Sequence, residues 1–99
     1  MRKSTFTIGF NDKDLKAQIM SDEKITEIII KAVSEYYDGA TFSETRGIYR
    51  GMIEKSLRVE VLDAEEPRDM LLMNELLKAL NQESIAYEVA EVNAIFYEG

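Results

Sequence analysis

The sequence predicts an α+β domain with a ferredoxin-like βαββαβ order, a four-stranded antiparallel sheet with both helices on one face. Three observations predict it. Apolar and polar residues alternate in four segments, apolar residues recur at helical spacing in two others, and the six segments run strand, helix, strand, strand, helix, strand. Right-handed crossovers then place the first and third strands side by side. The 99 residues are enough for one domain, over residues 1–99.

The first half of the chain contains a strand, a helix and a second strand. Residues 4–10 alternate, with Phe6, Ile8 and Phe10 on one side, which predicts a half-buried strand. Ser21 is a preferred N-cap residue for the helix that follows. The apolar residues of this helix are Ile25, Ile28, Ile29, Ala32, Val33 and Tyr36. Gly39 is a natural stop for the helix, and residues 40–49 are predicted to form the second strand.

The second half contains a strand, a helix and a last strand. Gly47 and Gly51 bracket a bend, after which residues 53–62 alternate more clearly than any other segment. Pro67 fits the first turn of a helix that extends to about Leu80. Acidic side chains are favourable near the start of a helix, and this explains the local acidic residues better than a metal site does. These residues are Asp63, Glu65, Glu66 and Asp69. The last strand is predicted over residues 85–97, with a bulge or bend near residues 90–92.

Two helices leave the other face of the sheet uncovered. Its predicted residues are Thr5, Thr7, Thr41, Ser43, Thr45, Glu54, Ser56, Arg58, Glu60 and Glu88. This face either meets water or pairs with another chain. Ile30 and Tyr37 lie off the main apolar stripe of the first helix, and the second helix is apolar over most of its circumference at residues 70–73. We therefore expect self-association, as a homodimer or a homotrimer.

Composition excludes several classes of function. The net charge is −7, which argues against direct binding of nucleic acid, and the chain has no Cys and no His. No apolar run is long enough to span a membrane, and no secretory leader is evident, so a soluble cytoplasmic protein is expected. Residues 60–99 hold ten acidic and two basic residues, a net −8. An acidic interaction or inhibitor protein that mimics nucleic acid and binds a basic protein partner is therefore one alternative function.

The central hairpin is locally basic in this acidic chain. Arg46, Arg50 and Arg58 are candidates for contact with a small anionic ligand, and Tyr49 is a candidate for stacking or a hydrogen bond. The structural alternative is that Arg46 and Arg58 form cross-strand ion pairs with Glu44 and Glu54. The leading functional hypothesis is a non-enzymatic, homo-oligomeric domain that binds an anionic metabolite or a nucleotide-like molecule at the hairpin.

No motif predicts a catalytic residue, a metal or a cofactor. The run of residues 11–14 resembles the start of a calcium loop, but Lys16 and the lack of a following Gly break the pattern. Nucleophile elbow, P-loop, dinucleotide and zinc motifs are absent. General acid–base chemistry would have to use Glu44, Glu54, Tyr49 or Lys55. A small enzyme with a Glu/Tyr site in a cleft of the sheet is the second alternative.

The hairpin and the last strand resemble the PII signalling proteins. Residues 39–47 (GATFSETRG) are similar to the segment that enters the long T-loop of that family, and residues 49–61 are similar to its return strand. Residues 94–97 (AIFY) resemble the last strand. The resemblance implies a trimer of ferredoxin-like subunits with small ligands, nucleotides in that family, in clefts between subunits near Arg46 and Arg58. The T-loop itself is absent, since residues 48–52 span it, and no Gly-rich phosphate-binding segment precedes the last strand.

Overall fold

The computed structural model describes all 99 residues and has the predicted fold. The elements are β1 (Arg2–Gly9), α1 (Asp22–Tyr36), β2 (Thr41–Tyr49), β3 (Met52–Leu62), α2 (Glu66–Ala79) and β4 (Ala86–Glu91). The strands form one antiparallel sheet in the order β2-β3-β1-β4. The predicted βαββαβ class is thus confirmed, with β1 and β3 in the centre. Neither helix is long and apolar enough to cross a membrane.

The core lies between the two helices and one face of the sheet. Side chains at alternate positions of the central strands point into it, and the stripes of both helices pack against them. Its fully buried apolar members are Phe6, Ile8, Ile25, Ile29, Val59, Val61, Leu72 and Leu76. Antiparallel partners share a face, so the register places Thr5 with Glu60, Thr7 with Arg58 and Gly9 with Ser56 on the uncovered face, which we call the open face. The predicted residues of this face are confirmed by the register.

A cap explains the start of α1, and a proline in the first turn explains the start of α2. The Ser21 hydroxyl accepts the N–H of Lys24, which satisfies a donor that the first turn leaves unpaired. Pro67 lies in the first turn of α2, where no backbone N–H is needed. The sequence placed the stop of α1 at Gly39, after Asp38, and the helix is about two residues shorter than that. The helix ends at Tyr36, because Tyr37 leaves helical geometry and turns its ring into the core.

The position of Tyr37 also corrects the expectation that it shares an exposed secondary face with Ile30. Tyr37 is buried, whereas Ile30 is exposed on α1. Its ring packs in the core and its hydroxyl bonds to α2, so it holds the two helices together instead of presenting an apolar surface. The exposed apolar residues of α2 are Met70 and Leu71.

The two hairpin strands match their predicted bounds to within one residue, and the last strand is shorter than predicted. Arg50 and Gly51 form a two-residue turn with positive φ angles of 51° and 79°. Such turns match the twist of the flanking strands and favour glycine. Gly47 lies within β2. The last strand is not the predicted 85–97: it ends at Glu91, one residue before the chain's last contact with β1, in which Val92 and Met1 exchange backbone hydrogen bonds. Residues 93–99 have no regular secondary structure.

Candidate functional site

A cavity of about 680 Å³ lies at one end of the open face, where the β2–β3 hairpin extends past the end of β1. This volume is in the range of small-molecule sites, roughly 300–1,000 Å³. Three segments line the cavity: the end of β1 with the loop that follows it, the hairpin, and the loop before β4. The lining residues of these segments are Thr7, Gly9, Asn11, Lys13, Asp14 and Lys16; Gly47, Ile48, Tyr49, Arg50, Met52, Glu54 and Ser56; and Gln82, Glu83, Ser84, Ile85 and Ala86.

Side-chain hydrogen bonds hold the first and third of these segments together. The Asp12 carboxylate accepts backbone N–H groups of residues 14–15 at 2.9 Å and the Asn81 amide at 2.9 Å. These bonds, first the one from Asn81 and then that from the backbone, lower the pKa of Asp12. The Gln82 amide donates to the carbonyl of Asn11 at 2.6 Å. The polar run that the sequence suggested as a failed calcium loop is therefore one wall of the cavity, fixed to the loop before β4.

The hairpin tip is tied to the same loop by charge. The Arg50 guanidinium lies 2.8 Å from Oε1 of Glu83, and the Tyr49 hydroxyl donates to Oε2 at 2.9 Å. The guanidinium also lies 5.3 Å from the centre of the Tyr49 ring. Each contact is solvent-exposed and contributes little to stability. Together, the Tyr49 ring and the Arg50–Glu83 ion pair close one side of the cavity.

Glu54 is the least exposed of the three carboxylates that line the cavity. Its side chain folds back over Gly9, and the backbone N–H of Asn11 donates to its Oε2 at 2.8 Å. A Cβ on Gly9 would collide with the Glu54 carboxylate. Glycine at this position therefore makes room for the carboxylate against the sheet. Glu54 is partly buried and lines the cavity.

The cavity combines charges of both signs. Lys13 and Lys16 lie on the loop after β1, and Glu54 lies opposite on the hairpin. Apolar contact area comes from Met52, the Tyr49 ring and Ile85. A ligand that has a cationic group, a carboxylate and a flat apolar part matches this lining in chemistry.

The structure separates the four predicted ligand contacts. Tyr49 and Arg50 line the cavity. Arg58 is on the open face between Thr7 and Ser43, nearer the middle of the sheet, and its Nε lies 3.2 Å from Glu60. Arg46 pairs with Lys55 and falls on the opposite face of β2. One small ligand on the open face therefore reaches Tyr49 and Arg50 but not Arg46, and the alternative ion pairs of Arg46 and Arg58 with Glu44 and Glu54 are not formed.

The acid–base candidates are separated in the same way. Glu54 and Tyr49 are in the cavity. Glu44 lies opposite Leu57 on the helix side of the sheet, and the Lys55 ammonium lies 2.9 Å from Asp22 at the start of α1. No group of three acidic side chains has the arrangement of a metal site.

Sequence reasoning missed the wall residues Asn11, Lys13, Lys16 and Glu83. They come from two loops more than sixty residues apart, and nothing in their local pattern shows that the loops meet. Gly9 was the one signal for this site in the sequence. It lies on the open face of β1, and glycine within a strand weakens the strand unless another group has to approach the backbone closely.

The fold is shared with solved structures. The chain is similar to a phage SAM lyase in complex with S-methyl-5′-thioadenosine, with a TM-score of 0.66, 22% identity, and coverage of 98% of this chain and 92% of that one. It is also similar to a DUF3240 family protein from Shewanella baltica OS155, with a TM-score of 0.64, 11% identity, and coverage of 99% and 97%. No protein-family model and no curated protein matches the chain.

These similarities show the fold. A de novo designed protein, Foldit4, shares it with a TM-score of 0.51 and 10% identity over 93% of this chain and 98% of that one. A fold that a designed sequence also adopts does not specify a function. The ferredoxin-like fold that the PII resemblance implied is therefore confirmed, while kinship with the PII proteins stays a prediction.

Proposed function

We propose that this protein binds S-adenosylmethionine in the cavity and cleaves the bond between its sulfur and γ-carbon, releasing S-methyl-5′-thioadenosine. One observation is the main support: the Glu54 carboxylate is held over Gly9 and faces a cavity of ligand size. The similarity to the phage SAM lyase over nearly the full length of both chains supports the choice of substrate.

The lining of the cavity fits the parts of this substrate. The sulfonium and the α-ammonium group are cations. Of the three carboxylates that line the cavity, Glu83 is paired with Arg50 and Asp14 accepts the Asn81 amide, which leaves Glu54 for these cations. At about 4 Å and an effective dielectric constant of about 20, one such pair gains on the order of 4 kcal/mol before desolvation. Lys13 and Lys16 attract the substrate carboxylate, and the Tyr49 ring with Met52 provides a surface for the adenine.

The reaction requires neither an acid nor a base from the protein. The sulfonium leaves as a neutral thioether that takes the bonding electron pair, so no acid is needed. The substrate's own carboxylate attacks the γ-carbon and closes a lactone, so no base is needed and no proton moves. The protein acts by folding the amino-acid part so that the carboxylate reaches the γ-carbon. This reaction is available to a chain without His or Cys.

The proposal joins two of the functions that the sequence suggested. The ligand is nucleotide-like, as in the binding hypothesis, and the site is a Glu/Tyr cleft on the sheet, as in the enzyme alternative. The binding hypothesis and the enzyme alternative differ only in whether the bound molecule is cleaved.

The test is to incubate the purified protein with S-adenosylmethionine and to quantify both product fragments by mass spectrometry. We expect S-methyl-5′-thioadenosine and a lactone. Glu54→Gln should lower the rate by about 100-fold, because the substrate loses its positioning contact. Glu88→Gln is the matched control: it removes an exposed carboxylate from the open face outside the cavity and should leave the rate within about two-fold.

The other outcomes are distinct. A raised melting temperature with S-adenosylmethionine and no product would replace the lyase with the non-enzymatic binding domain. An unsaturated amino acid in place of the lactone would assign Glu54 as a base. Neither product nor a shift in melting temperature would reject the proposal.

A further inference from the structure

Two exposed apolar groups of this chain have no partner within it. One is the helix-side face of the hairpin tip, formed by Arg46, Ile48 and Ile53, which we call the outer hairpin face. Ile48 and Ile53 are 77% and 71% exposed. They lie directly opposite each other, in the part of the ribbon that extends past the helices and past β1. The other group is the C-terminal segment, residues 93–99, in which Ile95, Phe96 and Tyr97 are 78%, 62% and 90% exposed.

The two groups cannot meet within one molecule. The C-terminal segment follows Glu91, which pairs with Arg2 at the start of β1, whereas the hairpin tip lies beyond Gly9 at the other end of β1. They also lie beside opposite edges of the sheet, because β2 and β4 are its two edge strands. The eleven residues of β3 span roughly 33 Å from one end to the other. A partner for either group would therefore have to come from another chain.

Charge favours a second copy of this chain as that partner. Ion pairs with Glu83, Asp22 and Glu60 neutralise the other three basic residues of the hairpin and leave Arg46 exposed without an ion pair. Residues 79–99 contain four acidic residues and no basic one, and Glu98 stands two positions after Phe96. Side chains two residues apart point to the same side of an extended chain. Phe96 and Glu98 thus place an apolar and an acidic side chain on one side of the segment, two positions apart. Ile48 and Arg46 have the same spacing on β2, but their charged side chain is basic.

We propose that the C-terminal segment of one copy adds as an antiparallel strand to the free edge of β2 in a second copy. Phe96 then lies opposite Ile48 and beside Ile53, and Glu98 lies opposite Arg46. This single register satisfies the apolar contact and the charge contact together. The backbone groups on the free edge of β2 gain hydrogen-bond partners, as in other cases of strand addition.

The register also brings the second copy to the cavity. Ile95 and Tyr97 fall on the other side of the added strand, opposite Tyr49 and Gly47, which line the cavity. The space beside Gly47 is open. Because the contact joins two different surfaces, it is head-to-tail, and such contacts form a ring when the rotation between successive copies closes. It does not depend on the identity of the ligand.

Sedimentation velocity and native mass spectrometry over a range of protein concentrations test this arrangement. We expect the unaltered protein to form a closed oligomer. Phe96→Asp and Ile53→Asp should each raise the dissociation constant by at least about 100-fold, since each places a charge in the apolar contact. Both sites are exposed in the single chain, so the melting temperature of the monomer should not change. Leu71→Asp, on the exposed side of α2, is the matched control and should leave the oligomer intact.

A charge exchange tests the register itself. Arg46→Glu and Glu98→Arg should each weaken assembly by about ten-fold, and the double variant should recover it to within about three-fold. A protein that stays monomeric overturns the proposal. So does an oligomer that Leu71→Asp dissociates and Phe96→Asp does not, or a double variant without recovery. None of these results depends on cleavage of S-adenosylmethionine, so each failure is separate from a failure of the proposed function.

Discussion

Two carboxylates of this protein, Asp69 and Glu54, show how the same chemical group serves two purposes. Asp69 lies on the helix side of the sheet and is fully buried. Glu54 lies on the open face and borders a cavity. The contrast between their surroundings distinguishes a group that holds the fold together from one that is available to a ligand.

Every side of Asp69 is occupied by a protein donor. The hydroxyls of Ser4, Tyr37 and Tyr87 each donate to it at 2.5 Å, and the Arg2 guanidinium lies 3.5 Å away. Burial, and then the hydrogen bond to Asp69, raises the pKa of both tyrosines. The cluster connects β1, the end of α1, α2 and β4. A buried charge that is fully paired in this way is a structural element.

Glu54 accepts one backbone hydrogen bond, from Asn11, and its carboxylate borders the cavity with two lysines nearby. The protein places it by leaving space at Gly9 instead of surrounding it with donors. The two carboxylates therefore differ in the number of their protein partners as well as in burial. Four experiments test this distinction.

The largest effect is expected at Asp69. Asp69→Ala leaves three hydroxyls and a guanidinium without their acceptor in a buried site, which should cost about 3–5 kcal/mol of unfolding free energy. Urea unfolding monitored by circular dichroism measures it. A loss below about 1 kcal/mol would show that the cluster is not structural.

A glycine substitution sharpens the comparison from the other side. Gly9→Ala places a methyl group where the Glu54 carboxylate lies. The side chain must rotate away, so cleavage of S-adenosylmethionine should fall by about 100-fold. The unfolding free energy should change by less than about 1 kcal/mol, because the displaced atoms are the end of a flexible side chain. Full activity in this variant would remove Glu54 from the site.

Replacement of tyrosine by phenylalanine compares the Asp69 cluster directly with the cavity. Tyr37→Phe removes a buried hydroxyl that donates to Asp69 and accepts the N–H of Glu65, which should cost about 1–3 kcal/mol. Tyr49→Phe removes an exposed hydrogen bond to Glu83 and should cost less than about 0.5 kcal/mol. Thermal unfolding of the two variants side by side measures the difference. Equal losses would contradict the distinction.

The smallest effect is a pH dependence at the cavity wall. The folded protein lowers the pKa of Asp12 below its ordinary value of 3.8. The stabilisation from its charged form is therefore present above that value and is lost as the pH falls through the lower, folded pKa. The melting temperature of the unaltered protein should fall more between about pH 5 and pH 2 than that of Asp12→Asn. Parallel curves for the two proteins would show that the Asn81 contact does not stabilise the charged form.

The fold was predictable because its pattern is local. Alternation in β1 and β3, the cap at Ser21 and the first-turn proline Pro67 each depend on a few neighbouring residues. The errors occurred where tertiary contacts overrule local preference. Tyr37 ends α1 before Gly39 because its ring is buried, and β4 ends at Glu91, which pairs with Arg2, the first residue of β1.

The candidate site was predictable only in part. The basic hairpin led to Tyr49 and Arg50, which line the cavity, and the acid–base search included Glu54. The pairing of Arg46 with Arg58 failed as a single site because an even separation along two paired strands does not ensure a shared face; the register decides it.

The sequence by itself determined the element types, their order and which side chains face the core, since these follow from residue periodicity and caps. Only the tertiary structure decided that two distant loops and a hairpin tip enclose a cavity around Glu54, and that Asp69 is buried among hydroxyls. The physical reason is that such sites depend on contacts between segments far apart in the chain, and the geometry of those contacts is fixed by strand register and loop packing, which no local pattern encodes.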